Sequence, residues 1–350
     1  MSDLARPLAE AAERLFAQRC SAEAVNRAED GAWPQALWQA VEDLAPARLL
    51  VPEERGGAGG DWRDACALLE RVGEFNVPLP VAESVIAGWL LDRAGQPAGE
   101  GPLGFACADA DLATMQAHGH IDLRLRAVPW ASACTALVVA ARDGAGVTLL
   151  HLPRGSFSTT PGRALSGEPR DAVSLRIACT DGCVTRLVDL NIVDCLGRAA
   201  LLRAAMIGGA CRRVLALTLA YTNDRKQFGR PIGQFQAVQH QLAQLAEETA
   251  AVRVAVQAAA ACDSAWSTAA IAAAKLRAGE AAGLCTRIAH QLHGAIGITY
   301  EHALHQSTRR LLTWRDEHGA EAWWALELVE TLRRQGAQGA WAALTAVNAR

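Results

Sequence analysis

The sequence lacks the features that mark several large protein classes. Its 34 Lys and Arg residues are balanced by 37 Asp and Glu residues and form no basic run, so it has no electrostatic footprint for nucleic acid. Apolar runs such as 135–141 are far too short to span a bilayer, and the first residues contain no long apolar signal core. The ten cysteines form no CxxC pair. We therefore expect a reduced, cytoplasmic protein without membrane insertion.

Three common functional motifs are also missing. The glycine cluster at 56–60 lacks the Lys-Ser/Thr of a P-loop and follows no clear strand, so a turn is the better interpretation. No GxSxG is present, which removes the commonest hydrolase signature. Two HxxH pairs, His290 with His293 and His302 with His305, occur without an HExxH pattern. We expect these imidazoles to cap helices and form hydrogen bonds between helices, with no metal site.

The sequence does have enough apolar residues for a large core, since 51% of its 350 residues are hydrophobic. Residues 1–100 show helical spacing, whereas 101–192 contain strand-like segments such as 121–127 and 135–141. Residues 193–350 are rich in Ala and Leu and are again helical in pattern. We predict an α+β multidomain fold: an N-terminal α-helical domain, a middle β-barrel or sandwich of about six to eight strands, and a C-terminal four-helix bundle.

One segment, RKQFGRPIGQFQAVQHQLA at 225–243, contains a distinctive turn. It places an Arg, an amide and an aromatic ring just before a Gly-Arg-Pro turn and a long helix. Such a turn offers a guanidinium for a phosphate and a flat ring for stacking. An ordinary corner between two helices explains the same residues, so the pattern alone leaves both interpretations open.

Three segments, taken in order over nearly the whole chain, resemble the acyl-CoA dehydrogenase family. Residues 37–60 end in VPEERGGAGG, like the family's Val-Pro-Glu-Glu stretch and glycine cluster. Residues 220–243 match its Arg-x-Gln-Phe-Gly-x-x-Ile-x-x-Phe-Gln signature almost residue for residue. Residues 272–310 are similar to its Lys-containing helix and its Gln-x-x-Gly-x-x-Gly-x-x-x-Glu segment. The domain order predicted from the residue patterns agrees with the fold that this resemblance implies.

The resemblance implies FAD as cofactor and an acyl-CoA thioester as substrate. The family reaction is α,β-dehydrogenation, in which a carboxylate removes the α-proton while the β-hydrogen leaves as hydride to the flavin. The resemblance also implies electron-transfer flavoprotein or a similar acceptor. The expected assembly is a homo-oligomer or a heterotetramer with a second acyl-CoA dehydrogenase-like chain.

In the family, two segments of one chain hold the flavin of the neighbouring subunit. The matching residues here are Arg225, Gln227 and Phe228 in the first segment, and Gln291, Gly294 and Ala295 in the second. These roles are physically reasonable, because Arg is a forked donor for a pyrophosphate and Gly lets a ligand approach the backbone closely.

The chain departs from the family at the catalytic base. The commonest subfamily has a Glu before a Gly, and the equivalent position here is His318; a second subfamily's base falls at about Ala199. Three hypotheses remain open. Glu317 or Asp316 acts as a displaced base, His318 is the base, or this chain has none and supports a catalytic partner chain. A further alternative is a member with changed chemistry, such as a thioester or nitroalkane oxidase.

The middle domain departs as well. The family's Thr-Glu-Pro-like loop and Trp-Ile-Thr/Ser strand, which touch the flavin ring, have no clear counterpart in residues 104–120. The one tryptophan of this region, Trp130, is expected to belong to the β-domain core. The sequence therefore defines the contacts of the flavin ring less well than those of the ADP half.

Overall fold

The computed structural model describes residues 4–112, 119–144, 146–178, 183–262 and 267–346. Helices in these ranges are α1 (Ala5–Arg19), α2 (Ala22–Glu29), α3 (Gln35–Glu42), α4 (Trp62–Glu74), α5 (Val81–Arg93), α6 (Ile192–Asp224), α7 (Gln236–Ala260), α8 (Ser267–His293), α9 (Leu304–Asp316) and α10 (Glu321–Ala346). Strands are β1 (Leu103–Asp111), β2 (His120–Pro129), β3 (Ala136–Asp143), β4 (Gly146–Pro153), β5 (Ser158–Thr160), β6 (Arg170–Ala178), β7 (Val184–Leu187), β8 (Lys226–Gln227) and β9 (Arg230–Pro231).

Two sheets form the β region. One has the order β1-β3-β4-β7 with β1 and β3 parallel, and the other has the order β2-β6-β5. A single hydrophobic core joins them, with Leu123 from β2, Val139 from β3 and Leu175 from β6. Strand β2 alternates exposed and buried residues over most of its length, as residues 121–127 predict.

Strand β3 differs from the half-buried strand predicted for residues 135–141. It is buried on both faces from Ala136 to Ala141. The reason is its position, because β3 lies between β1 and β4 and helix α5 packs against β1 and β3. A strand that is buried on both faces does not alternate polar and apolar residues.

Contacts divide the chain into two compact units. The first contains residues 1–8, 26–65 and 78–199, and the second contains residues 9–25, 66–77 and 200–350. Element type changes close to the predicted domain boundaries, since β1 begins at Leu103 and α6 begins at Ile192. Among the described residues, no helix is both long and apolar enough to cross a membrane.

Small residues let α6 approach α4 closely within the second unit. A Cβ added at Gly209 would lie 1.9 Å from the carbonyl oxygen of Glu70, and one added at Gly73 would lie 1.9 Å from that of Met206. Glycine at these positions therefore permits backbone contact between the two helices. Helix α8 packs in turn against α7, α9 and α10.

Candidate functional site

The end of α9 and the loop after it carry the three residues expected to include a base. Helix α9 ends at Asp316 because Glu317 adopts extended backbone angles, and His318 and Gly319 follow with positive φ values of 55° and 97°. This left-handed turn reverses the chain before α10 begins. Glu317 therefore lies outside the helix, so helical geometry does not set the direction of its side chain.

The Glu317 carboxylate is held by a buried arginine of α6. The Oε2 atom of Glu317 lies 2.8 Å from Nε of Arg203, and the two side chains are 16% and 3% exposed. The same guanidinium donates to Sδ of Met206 at 3.0 Å and lies 5.9 Å from the centre of the Trp314 ring. Arg203 follows Ala199, the position of the second subfamily's base, by one turn of α6. A positive charge therefore accompanies the only acidic side chain that the loop buries.

A buried lysine of α8 holds both ends of the loop. The ammonium of Lys275 donates to the carbonyl oxygens of Arg315 at 2.6 Å and Gly319 at 2.9 Å, and the side chain is 1% exposed. Burial lowers the pKa of Lys275 from 10.5 to about 8, against the opposing effect of the Glu321 and Glu317 carboxylates. These two carbonyls lie at the ends of the segment 315–319, which includes the last two residues of α9 and is called the 315–319 loop below. Lys275 therefore fixes the shape of this loop from inside the bundle.

The other two candidate bases differ from Glu317. Asp316 is exposed at the end of α9. The carbonyl of His318 accepts a hydrogen bond from Nε1 of buried Trp324 at 2.9 Å. This bond fixes the backbone of His318 independently of its imidazole. A Cβ at Gly319 would lie 2.7 Å from the same Nε1 atom, which requires glycine there.

Sequence reasoning missed Arg203 and Lys275 as parts of this site. Each carries the signal of a cation inside an apolar helical stretch, LLRAAM for Arg203 and AAAKL for Lys275, and Lys275 is also the lysine of the helix that resembles the family's Lys-containing helix. A cation at such a position must find a partner, because burying an unpaired charge is strongly unfavourable. The pattern predicts a partner, but only the fold identifies it as the 315–319 loop.

The first predicted flavin segment forms a hairpin of β8 and β9. Phe228 and Gly229, with φ values of 52° and 81°, make its two-residue turn. Phe228 is 91% exposed and lies edge-on to Phe235, with ring centres 6.1 Å apart. Arg225 and Gln227 are also exposed, and within the described residues no carboxylate pairs with Arg225. The hairpin region thus exposes an aromatic ring and a guanidinium.

The second predicted flavin segment lies at the end of α8. Gln291, Gly294 and Ala295 are all exposed. Gly294 has φ +65°, and a Cβ added there would meet no atom within 4 Å, so the backbone is open to a ligand. Tyr221 connects the two segments: its carbonyl accepts from the amide of Arg225 at 2.9 Å, and its ring stacks on His293.

Two further predictions concern the middle domain and metal binding. Trp130 is 5% exposed and contacts Trp33, which lies before α3, edge-on, so its burial is confirmed. The core described for the two sheets includes Val128 and Ala131 but not Trp130. Residues 113–118 of the divergent segment 104–120 lie outside the described residues. Within the described ranges, no group of His, Cys, Asp and Glu side chains is arranged to hold a metal ion.

Comparison with known proteins identifies the relatives of this chain. The family model for the acyl-CoA dehydrogenase N-terminal domain matches residues 2–99, and the model for the C-terminal domain matches residues 191–327. The chain is 34% identical over 307 residues to acyl-CoA dehydrogenase IpdE2 of Mycolicibacterium smegmatis, covering 86% of this chain and 90% of that protein. It is 35% identical over 307 residues to IpdE2 of Mycobacterium tuberculosis, covering 87% and 89%.

Solved structures share the fold at lower sequence identity. The ChsE4-ChsE5 complex from Mycobacterium tuberculosis matches with a TM-score of 0.83 at 21% identity, covering 96% of this chain and 99% of that chain. Butyryl-CoA dehydrogenase from Megasphaera elsdenii matches with a TM-score of 0.82 at 17% identity, covering 95% and 99%.

Proposed function

The chain belongs to the acyl-CoA dehydrogenase family, and we propose that it is one subunit of a heteromeric FAD-dependent acyl-CoA dehydrogenase. In this proposal it holds part of the flavin, and a second family chain supplies the catalytic base. A complex of two different chains, ChsE4-ChsE5, is among the structures that share its fold. The reaction is the α,β-dehydrogenation of an acyl-CoA thioester, with electron-transfer flavoprotein or a similar protein as acceptor.

The observation that carries the proposal is the pairing of Glu317 with Arg203 at 2.8 Å. A base that removes an α-proton needs a high proton affinity, whereas an arginine in contact with a carboxylate favours its ionised form. At the second subfamily position Ala199 presents only a methyl group. The pairing therefore favours a structural role for Glu317 and the hypothesis that the base is on the partner.

The two exposed segments fit FAD. The guanidinium of Arg225 suits the pyrophosphate, Phe228 offers a flat ring, and the open backbone at Gly294 permits close approach. When bound, FAD supplies the acceptor for the hydride that leaves the β-carbon. The chain itself contributes binding and orientation of that group, while Lys275 keeps the 315–319 loop in one shape.

Two measurements test the proposal. The first is the flavin absorption of the chain purified alone and after co-expression with a second acyl-CoA dehydrogenase-like chain. The proposal expects flavin and turnover in the co-purified complex. Near-stoichiometric flavin with full turnover in the chain alone contradicts it and supports a self-sufficient enzyme.

The second measurement is the turnover of Glu317→Gln per bound flavin, with the exposed Glu330→Gln as matched control. Loss of a general base lowers turnover by about 10²-fold or more. The proposal expects a change of less than about tenfold, because Glu317 neutralises Arg203 and does not take the substrate's proton. Abolished turnover with normal flavin content would assign the base to Glu317 and refute the proposal.

A further inference from the structure

An aromatic stack joins two helices beside the predicted flavin segments. The rings of Tyr221, near the end of α6, and His293, the last residue of α8, lie 4.4 Å apart at 21°. The hydroxyl of Tyr221 donates to the carbonyl of His293 at 3.2 Å. His302 lies edge-on to both rings, at 4.8 Å from His293 and 6.1 Å from Tyr221.

Hydrogen bonds select neutral imidazoles in this cluster. Nδ1 of His302 accepts from the backbone amide of Leu304 at 3.2 Å, so that nitrogen carries no proton. Nδ1 of His293 lies 2.8 Å from the carbonyl of Ala289, to which it donates, and its Nε2 is buried without a hydrogen-bond partner in the described residues. Protonation would break the first bond and place an unpaired N–H at the second site.

The stack lies between the two segments that the proposed function assigns to FAD. The carbonyl of Tyr221 accepts from the amide of Arg225, which begins the hairpin, and His293 directly precedes Gly294. Moving either ring therefore changes the spacing between the hairpin and the end of α8. We infer that Tyr221 and His293 are positioning residues that hold the two flavin segments at a fixed separation, and that this hold is released on acidification. The inference rests on the proposed function.

The charges around the stack explain the direction of the pH effect. Burial lowers the pKa of His293 below 6.5, and the His302 and His290 imidazoles lower it further, against the bond to Ala289. Burial, His305 and Arg213 of α6 lower the pKa of His302 in the same direction. These neighbours carry positive charge or gain it on acidification: Arg213 of α6, His290 of α8, His302 before α9 and His305 of α9. A proton on either imidazole therefore meets repulsion. The neutral stack is therefore intact above about pH 6.5 and is weakened as the pH falls below that value.

The test measures the Kd of FAD for the deflavinated complex by flavin fluorescence at pH 7.5 and 5.5. Tyr221→Leu removes one stack and one hydrogen bond, so its Kd at pH 7.5 is expected to rise about tenfold. Tyr221→Phe keeps the stack and is expected to change the Kd by less than about threefold.

Comparing the Kd of FAD at the two pH values distinguishes a positioning role from a general effect on stability. The wild-type Kd is expected to rise several-fold at pH 5.5, and His302→Gln, which cannot gain a proton, is expected to remove most of that rise. His120→Gln, an exposed histidine of β2, serves as the control and keeps the wild-type ratio. Wild-type affinity in Tyr221→Leu, or an unchanged pH ratio in His302→Gln, overturns the inference while leaving the proposed function standing. A wild-type complex that binds no FAD refutes the proposed function itself.

Discussion

Removing both partners of the Arg203–Glu317 pair should lower the free energy of unfolding by less than the sum of the two single changes. Arg203→Met leaves the Glu317 carboxylate, 16% exposed, without its cation, and Glu317→Gln leaves the Arg203 guanidinium, 3% exposed, without its anion. Breaking a buried pair by removing one partner costs about 3–5 kcal/mol, because an uncompensated charge remains. We expect about 3 kcal/mol for each single change, since Glu317 retains some contact with water.

The double variant Arg203→Met/Glu317→Gln leaves no charge behind. Both variants at Arg203 also lose its contact with the Trp314 ring, so that contribution cancels in a double-mutant cycle. The coupling energy should therefore reflect the pair alone. We expect it to be about 2 kcal/mol or more in favour of the intact pair.

The free energy of unfolding of the four proteins is measured by urea titration followed by tryptophan fluorescence, to which Trp314 contributes directly. The matched control is the exposed pair Glu330–Arg334, at 3.3 Å with side chains 46% and 71% exposed. Its coupling energy should not exceed about 0.5 kcal/mol, the range of a surface pair on one helix. Additive effects of the two changes at Arg203 and Glu317 would show that they are not a coupled pair and would remove the argument against Glu317 as a base.

Two further predictions concern Lys275 and the close contact between α4 and α6. Because burial lowers the pKa of Lys275 from 10.5 to about 8, the unfolded chain binds the Lys275 proton more tightly between these values. Raising the pH from 8 to 10 should then stabilise the wild type by about 2 kcal/mol relative to Lys275→Met in urea unfolding, and parallel pH profiles would contradict this. Gly209→Ala, whose new Cβ would lie 1.9 Å from the Glu70 carbonyl oxygen, should lower the free energy of unfolding by more than about 2 kcal/mol. Gly155→Ala, with no atom within 4 Å, should change it by less than about 0.5 kcal/mol.

The fold was largely predictable because its elements carry strong local patterns. Alternation in residues 121–127 predicts β2, and the long helical pattern after residue 235 predicts α7. The pattern does not reveal what covers each side of an element. Residues 135–141 show this limit, because β3 is buried on both faces by its neighbours and by α5. Burial of that kind is decided by the assembled fold.

The candidate site was predictable only where family motifs carry it. The motifs lead to Arg225 and Gln291, but their roles toward a flavin remain predictions. Arg203 and Lys275 precede Glu317 by 114 and 42 residues along the chain, and no local pattern joins them to Glu317. Tyr221 and His293 likewise meet through the packing of α6 against the end of α8. Ion pairs and stacks between distant segments require the tertiary structure.

The contacts of the 315–319 loop favour a structural role for this loop over a catalytic one. Lys275 binds the carbonyls at its two ends, Trp324 binds the carbonyl of His318, and Arg203 binds the carboxylate of Glu317. A general base must reach its proton and bind it, whereas the Glu317 carboxylate is in contact with a buried guanidinium. The contact with Arg203 therefore weakens the case for Glu317 as base. The same rigidity suits a chain whose task is to hold a cofactor for chemistry carried by its partner.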